Sequence, residues 1–185
     1  MDTFASVRIR HTAALVRFDD MDSHWAKEIV EELATLEIIQ GYEHGTFRPN
    51  EPISRMHVAV LFACTFEFES IRSAKVFSDI APKPIYYEEI NTLQQGGIID
   101  GWGDTFRPLE AITCAQVAKI LAKTLQLTSE GTSSFSDVSS NHWSMDYIAA
   151  LEQVEIALGS NGEFYPKTPV TRAELATFLF RALQF

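Results

Sequence analysis

Residues 164–174 read Phe164-Tyr165-Pro166-Lys167-Thr168-Pro169-Val170-Thr171-Arg172-Ala173-Glu174, and the chain carries this arrangement three times. Laid on itself at offsets of 59 and then 58 residues, the sequence brings Pro49, Pro108 and Pro166 into register. The earlier counterparts of the aromatic-proline step are Phe47-Arg48-Pro49 and Phe106-Arg107-Pro108. Downstream of each proline stands a hydroxyl residue and an apolar run: Ser54-Arg55-Met56-His57, Thr113-Cys114-Ala115-Gln116 and Thr171-Arg172-Ala173-Glu174. Ser or Thr before such a run is the N-cap of a helix. Gln116 and Glu174, three residues on, complete a reciprocal capping box, and His57 takes that place in the first unit.

Upstream, each unit opens on an aromatic and an acid: Phe18-Asp19-Asp20-Met21, Phe77-Ser78-Asp79-Ile80 and Phe135-Ser136-Asp137-Val138. His24-Trp25 and His142-Trp143 follow in units one and three, with Pro84-Ile85 in unit two. Apolar residues then recur at helical spacing, as Ile29, Leu33 and Leu36, as Ile90 and Leu93, and as Ile148, Leu151 and Val154. Each unit is therefore predicted as helix, loop, helix. Gly41, Gly101 and Gly159 stand eight residues after Leu33, Leu93 and Leu151 and are expected to close the first helices or turn the chain just beyond them. The second helices are the more apolar, through Ile120, Leu121 and Leu125 or Leu175, Phe178, Leu179 and Leu183. A helix pair of this size buries too little surface alone, so the units are expected to pack into one all-α body of approximate threefold symmetry, with grooves between neighbours.

Composition narrows the function. In 185 residues, 46% are hydrophobic and 22% charged, as in ordinary globular proteins. Fifteen Lys and Arg against twenty-five Asp and Glu leave a net charge of −10, which offers no general attraction for phosphate backbones or anionic lipid. No apolar stretch approaches the length of a membrane span, and no nucleic-acid partner or membrane insertion is expected. Cys64 and Cys114 are too few for a disulfide framework and favour a reducing compartment. The five histidines form no His-Glu-x-x-His pattern, and neither a nucleophile elbow nor a phosphate-binding glycine loop occurs, so no metal, cofactor or enzymatic activity is expected.

The ordered set Phe-x-Asp, His-Trp, Gly, Phe-Arg-Pro and Thr-Arg-Ala-Glu resembles the S-layer homology domain in three copies over residues 18–185, most fully in Val170-Thr171-Arg172-Ala173-Glu174. The resemblance implies an all-α fold of three helix-loop-helix repeats packed as a pseudo-threefold spindle around a shared helical core. Its parts would be an N-terminal arm over 1–17 and repeats over 18–70, 77–128 and 135–185, forming one cooperative module. It further implies a non-catalytic anchor at the bacterial cell surface, whose inter-repeat grooves bind anionic, pyruvylated secondary cell-wall polysaccharide.

Transferred by position, the groove residues are Arg172 and Thr171 in the third repeat, Arg55 and Ser54 in the first, and Asp20, Trp25, Asp137 and Trp143 in the acid-tryptophan loops. A capped helix N-terminus with free N–H groups and an adjacent arginine suits an anion, and tryptophan faces suit sugar rings. The repeat-two counterparts are Cys114, Gln116 and Ile85, which implies a dead or altered groove there. Trp102, directly after Gly101 where Tyr42 and Ser160 stand in the other units, would supply an aromatic face from a different loop. Each residue also has a structural explanation: capping for Thr171 and Glu174, core sealing for Trp25 and Trp143, turn-holding for Asp20, Asp79 and Asp137, and turn-bracing for Arg48, Arg107 and Tyr165. Capping does not account for arginine at a first helical position, where its charge opposes the helix dipole.

Met1-Asp2-Thr3-Phe4 resembles no common tag, and no export signal follows, so a native start at Met1 would make the chain cytoplasmic. That reading allows two alternatives to the anchor: a binder that sequesters a small anionic, nucleotide-like ligand in the same grooves, or an oligomeric assembly module.

Overall fold

A computed structural model describes residues 15–81, 86–129 and 131–185. A short 3-10 turn at Asp19–Met21 precedes six helices: α1 (Lys27–Thr35), α2 (Arg55–Thr65), α3 (Tyr87–Gln95), α4 (Cys114–Thr124), α5 (Met145–Gln153) and α6 (Arg172–Gln184). Among the described residues there are isolated bridges but no strand. Each repeat is a first helix, a loop through the Phe-x-Pro step, and a second helix, as the three-fold register predicts.

Two compact units can be distinguished, one over Ile53–Ala111 and the other over the described residues up to Pro52 together with Ile112–Phe185. In the first unit α2 packs on α3; in the second, α4 packs on α5 and α1 on α6. Each second helix thus meets the first helix of another repeat. Val58, Ala59 and Phe62 on α2 are buried, and so are Ile90 and Leu93 on α3, the periodic apolar positions of that helix in the sequence.

Inside each repeat the opening phenylalanine meets the phenylalanine of the Phe-x-Pro step. The ring centroids of Phe18–Phe47, Phe77–Phe106 and Phe135–Phe164 lie 5.4, 5.5 and 5.6 Å apart. Offset aromatic pairs at this distance add to the large apolar area that each ring removes from water. They also assign Gly41 and Gly101 a role different from the expected helix end. A Cβ at Gly101 would collide with the Phe77 ring and the Thr105 carbonyl, and one at Gly41 with Phe18. These glycines let the aromatic ring lie against bare backbone. The first helices end earlier, where Glu37, Gly97 and Glu155 take positive φ. Ile38 N–H reaches back to Leu33 O at 2.9 Å, and Ile98 and Ile156 repeat the bond to Leu93 and Leu151. This is the backward-reaching bond of a left-handed helix cap.

The second helices begin as predicted. Thr113 and Thr171 form complete capping boxes with Gln116 and Glu174. In the first repeat Ser54 accepts from His57 N–H, and the His57 ring turns back to the Ser54 hydroxyl at 2.8 Å. Thr171→Ala is expected to lower the unfolding free energy by about 1 kcal/mol in urea denaturation, the usual cost of an N-cap. An unchanged midpoint would show that the neighbouring contacts described below hold the helix start without the hydroxyl.

Candidate functional site

The acids that open the repeats hold a turn far along the chain. Asp79 accepts from the N–H groups of Phe106 and Arg107 at 2.8 and 2.7 Å. Asp20 does the same for Phe47 and Arg48, and Asp137 for Phe164 and Tyr165. The second acceptor bond in each pair fixes a residue at positive φ: Arg48 at 57°, Arg107 at 60° and Tyr165 at 59°. A side chain in that conformation is uncommon and needs surrounding bonds to hold it. The carboxylates of Asp20 and Asp137 are thereby engaged in the fold.

The expected free N–H groups at the second helices are engaged as well. Arg55 N–H donates to Glu110 O at 2.9 Å and Met56 N–H to Pro108 O at 3.0 Å, while Ser54 caps His57. Arg172 and Ala173 donate to Glu51 O and Pro49 O, both at 3.0 Å, and Cys114 and Ala115 to Thr168 O and Pro166 O, also at 3.0 Å. The sequence expectation of an open helix N-terminus for an anion is therefore corrected. The first turn is stapled to the Phe-x-Pro loop of another repeat, which satisfies the donors that a helix start leaves unpaired.

Arginine at the first helical position completes this staple. Arg55 is only 3% exposed; its Nε donates to Phe106 O at 3.0 Å and its Nη2 to Asp100 O at 2.8 Å. Arg172 repeats the fork on Phe47 O at 2.7 Å and Gln40 O at 2.9 Å. Charge-assisted donors in a planar fork explain why arginine stands where the helix dipole disfavours it. Burial pulls the Arg55 guanidinium down to about 10, which leaves it charged at neutral pH, and burial lowers Arg172 in the same direction.

Each stapling arginine, Arg55 buried and Arg172 half-buried, also lies over an aromatic ring that a second, exposed arginine shares. The Arg55 guanidinium is 4.3 Å from the Trp102 ring centre and that of Arg107 is 4.9 Å away. Around Tyr42 the distances are 4.8 Å for Arg172 and 4.1 Å for Arg48. Both are within cation–π range. Trp102 and Tyr42 remain partly exposed, so each cluster presents an aromatic face beside an exposed guanidinium. Glu110 and Glu51 stand 3.6 Å from Arg107 and Arg48, and Asp79 and Asp20 hold the same two loops, so each cluster sets its guanidinium groups among carboxylates that balance them.

At the corresponding place in the third-repeat loop four uncharged residues stand instead: Cys114 for the stapling arginine, Ser160 for the ring, Tyr165 for the exposed arginine and Thr168 for the acid. All four partners change together. The sequence reading singled out Arg55, Arg172 and Trp102 but kept Tyr42, Arg48 and Arg107 out of the site. Aligning the arginine of one repeat with the loop of the next would have collected them.

Trp25 and Trp143 are 64% and 57% exposed, so neither seals the core. The histidine before each does local work: His24 Nδ1 accepts from Ala26 N–H at 3.2 Å and His142 Nδ1 from Ser144 N–H at 3.3 Å, at the starts of α1 and α5. Ile85, the repeat-two counterpart of the tryptophans, lies outside the described residues. Ser54 and Thr171 sit at their helix caps, beside but not within the arginine–aromatic clusters.

The S-layer homology domain family matches residues 17–59, 76–118 and 134–176. This chain belongs to that family. Among its relatives, the surface-layer 125 kDa protein of Lysinibacillus sphaericus is 32% identical across 97% of this chain and 16% of its own length. The S-layer protein sap of Bacillus anthracis is 26% identical across 90% of this chain and 21% of its own. An amylopullulanase of Thermoanaerobacterium thermosulfurigenes is 27% identical across 90% of this chain and 9% of its own. The chain thus spans a small part of each of these relatives. S-layer homology repeats are shared by proteins named for the cell surface layer and by a protein named for its enzymatic activity, which fits a portable surface module. No helix among the described residues is long and apolar enough to cross a membrane.

Proposed function

We propose that this chain is a non-catalytic S-layer homology module that anchors a protein to the bacterial cell wall by binding an anionic wall saccharide at two arginine–aromatic clusters. The observation that carries the reading is the pairing of an exposed guanidinium with a partly exposed ring, at Arg107–Trp102 and at Arg48–Tyr42, on a chain of net charge −10. A flat sugar face stacks on the ring, and a sugar-borne carboxylate, such as a pyruvyl group, meets the guanidinium bidentately. Arg55 and Arg172 hold the ring-bearing loops in place and add positive charge beneath them. The names of the surface-layer relatives support the location.

The test is co-sedimentation of the purified chain with wall sacculi before and after chemical removal of the secondary polysaccharide. Arg48→Gln combined with Arg107→Gln removes two exposed charges and leaves Arg55 and Arg172 unaltered. Binding is expected to follow the polysaccharide and to fall about tenfold or more in the double variant, because each lost hydrogen bond to a charged group is worth about 1.5–3 kcal/mol. Undiminished sedimentation of the double variant would remove these clusters from the binding surface. Sedimentation independent of the polysaccharide would reject the saccharide reading itself.

A further inference from the structure

The arginine position of the second repeat holds Cys114, yet the backbone around it keeps the geometry of its arginine-bearing counterparts. Cys114 and Ala115 N–H donate to Thr168 O and Pro166 O as Arg55 and Met56 do to Glu110 O and Pro108 O. In the facing loop Ser160 N–H donates to Glu163 O at 2.8 Å, as Trp102 does to Thr105 O at 2.8 Å. Asp137 holds Phe164 and Tyr165 as Asp79 holds Phe106 and Arg107. The acceptors of the missing guanidinium are therefore in place. Leu158 O and Phe164 O are the counterparts of Asp100 O and Phe106 O, which accept from Arg55, and of Gln40 O and Phe47 O, which accept from Arg172. No donor among the described residues reaches either of them.

Cys114, Leu158 and Phe164 line a cleft of about 500 Å³, with Glu174, Phe178 and Arg181. Arg181 is turned to another acceptor, its Nη1 donating to Ile156 O at 3.2 Å. Burial first, and then the Glu174 and Asp137 carboxylates, push the Cys114 thiol up to about 12. Phe164 corresponds to Phe106 and Phe47, whose rings lie 4.6 and 4.4 Å from the guanidinium carbons of Arg55 and Arg172. A planar cation with two parallel N–H donors matches two carbonyls and a ring face, which an ammonium does less well.

We propose that this cleft binds a guanidinium group brought from outside the chain, held by the carbonyls of Leu158 and Phe164 in the place that Arg55 and Arg172 fill from within elsewhere. The stem carrying the group lies along Cys114 and Phe178. The site is independent of the wall-binding clusters, since it uses none of their residues. An arginine side chain on a partner and a free alkylguanidine present the same chemistry.

The test titrates the full chain with ethylguanidine, with N-acetyl-arginine amide and with the uncharged isostere ethylurea, followed by saturation-transfer NMR. Single-site binding of the guanidines is expected, with ethylurea weaker by about tenfold or more. Tighter binding of the arginine derivative assigns the site to a partner's side chain, and tighter binding of ethylguanidine to a free guanidine. Cys114→Arg, which supplies the guanidinium internally, and Cys114→Met, which fills the stem position without charge, are each expected to weaken guanidine binding about tenfold or more. Cys114→Arg is also expected to raise the melting temperature. Equal binding of ethylurea and ethylguanidine, no binding of either guanidine to the unaltered chain, or full binding to a folded Cys114→Met variant would overturn the proposal.

Discussion

Arg55→Ala is expected to lower the unfolding free energy by about 3–4 kcal/mol, with Arg55→Lys recovering less than half of it. The side chain is almost wholly buried, donates to two backbone carbonyls and stacks on Trp102 and Phe106. Hydrogen bonds to a charged group contribute about 1.5–3 kcal/mol each, and truncation leaves both acceptors unpaired beside a new void. Against this stands the cost of burying a cation with no carboxylate within ion-pair distance among the described residues, visible as the downward pull on its guanidinium. That cost is present in the lysine variant too, whereas the fork that offsets it is not, because a point-like ammonium lacks the paired in-plane donors that the guanidinium presents to the two carbonyls. Urea unfolding at neutral pH measures the difference. A loss below about 1 kcal/mol, or full rescue by lysine, would show that the arginine is a surplus charge and not the staple between the first and second repeats.

The helical repeat was legible because its determinants are local and recur. Phe-x-Pro, the Ser or Thr cap and the residue three places on are neighbours in sequence, and each has a physical reason to stand there. The arginine staples were hidden because their partners are main-chain carbonyls, and Asp100 O or Gln40 O leaves no trace in residue type. The left-handed helix ends at Glu37 and Glu155 were missed for a related reason: glutamate does not announce a positive φ as Gly97 does. The acids were expected to cap or turn nearby chain, but Asp20, Asp79 and Asp137 each act on a loop well downstream. What the sequence did contain was the joint replacement of Arg, aromatic, Arg and Glu by Cys114, Ser160, Tyr165 and Thr168. That replacement becomes readable only when the second helix of one repeat is compared with the loop of the next, the pairing that the fold makes.

The same long-range logic makes Asp79 a sensitive position. Asp79→Ala is expected to cost about 3 kcal/mol, since one carboxylate accepts two main-chain N–H groups and holds Arg107 in the left-handed region. Asp79→Asn should lose about half as much, because the amide oxygen still accepts one bond while its NH2 group faces a donor. The acid dependence separates this account from simple packing. Slight burial acts to raise the Asp79 carboxyl, but the N–H groups of Phe106 and Arg107 and the charge of Arg107 outweigh it and hold it below the ordinary carboxylate range. A carboxyl with a lower pKa folded than unfolded contributes stability that is fully present above the unfolded value near about 4 and is lost as pH falls through the folded value. The gap between the unaltered chain and Asp79→Asn, measured by urea unfolding, is therefore expected to be constant from pH 7 to pH 5 and to narrow below about pH 4. A gap that stays constant down to pH 3 would mean that the carboxylate charge contributes nothing to the turn. The loop carbonyl that accepts from Arg55 belongs to the same Phe106, so a released turn would also loosen the arginine staple. The Asp79→Ala and Arg55→Ala losses should accordingly combine to less than their sum.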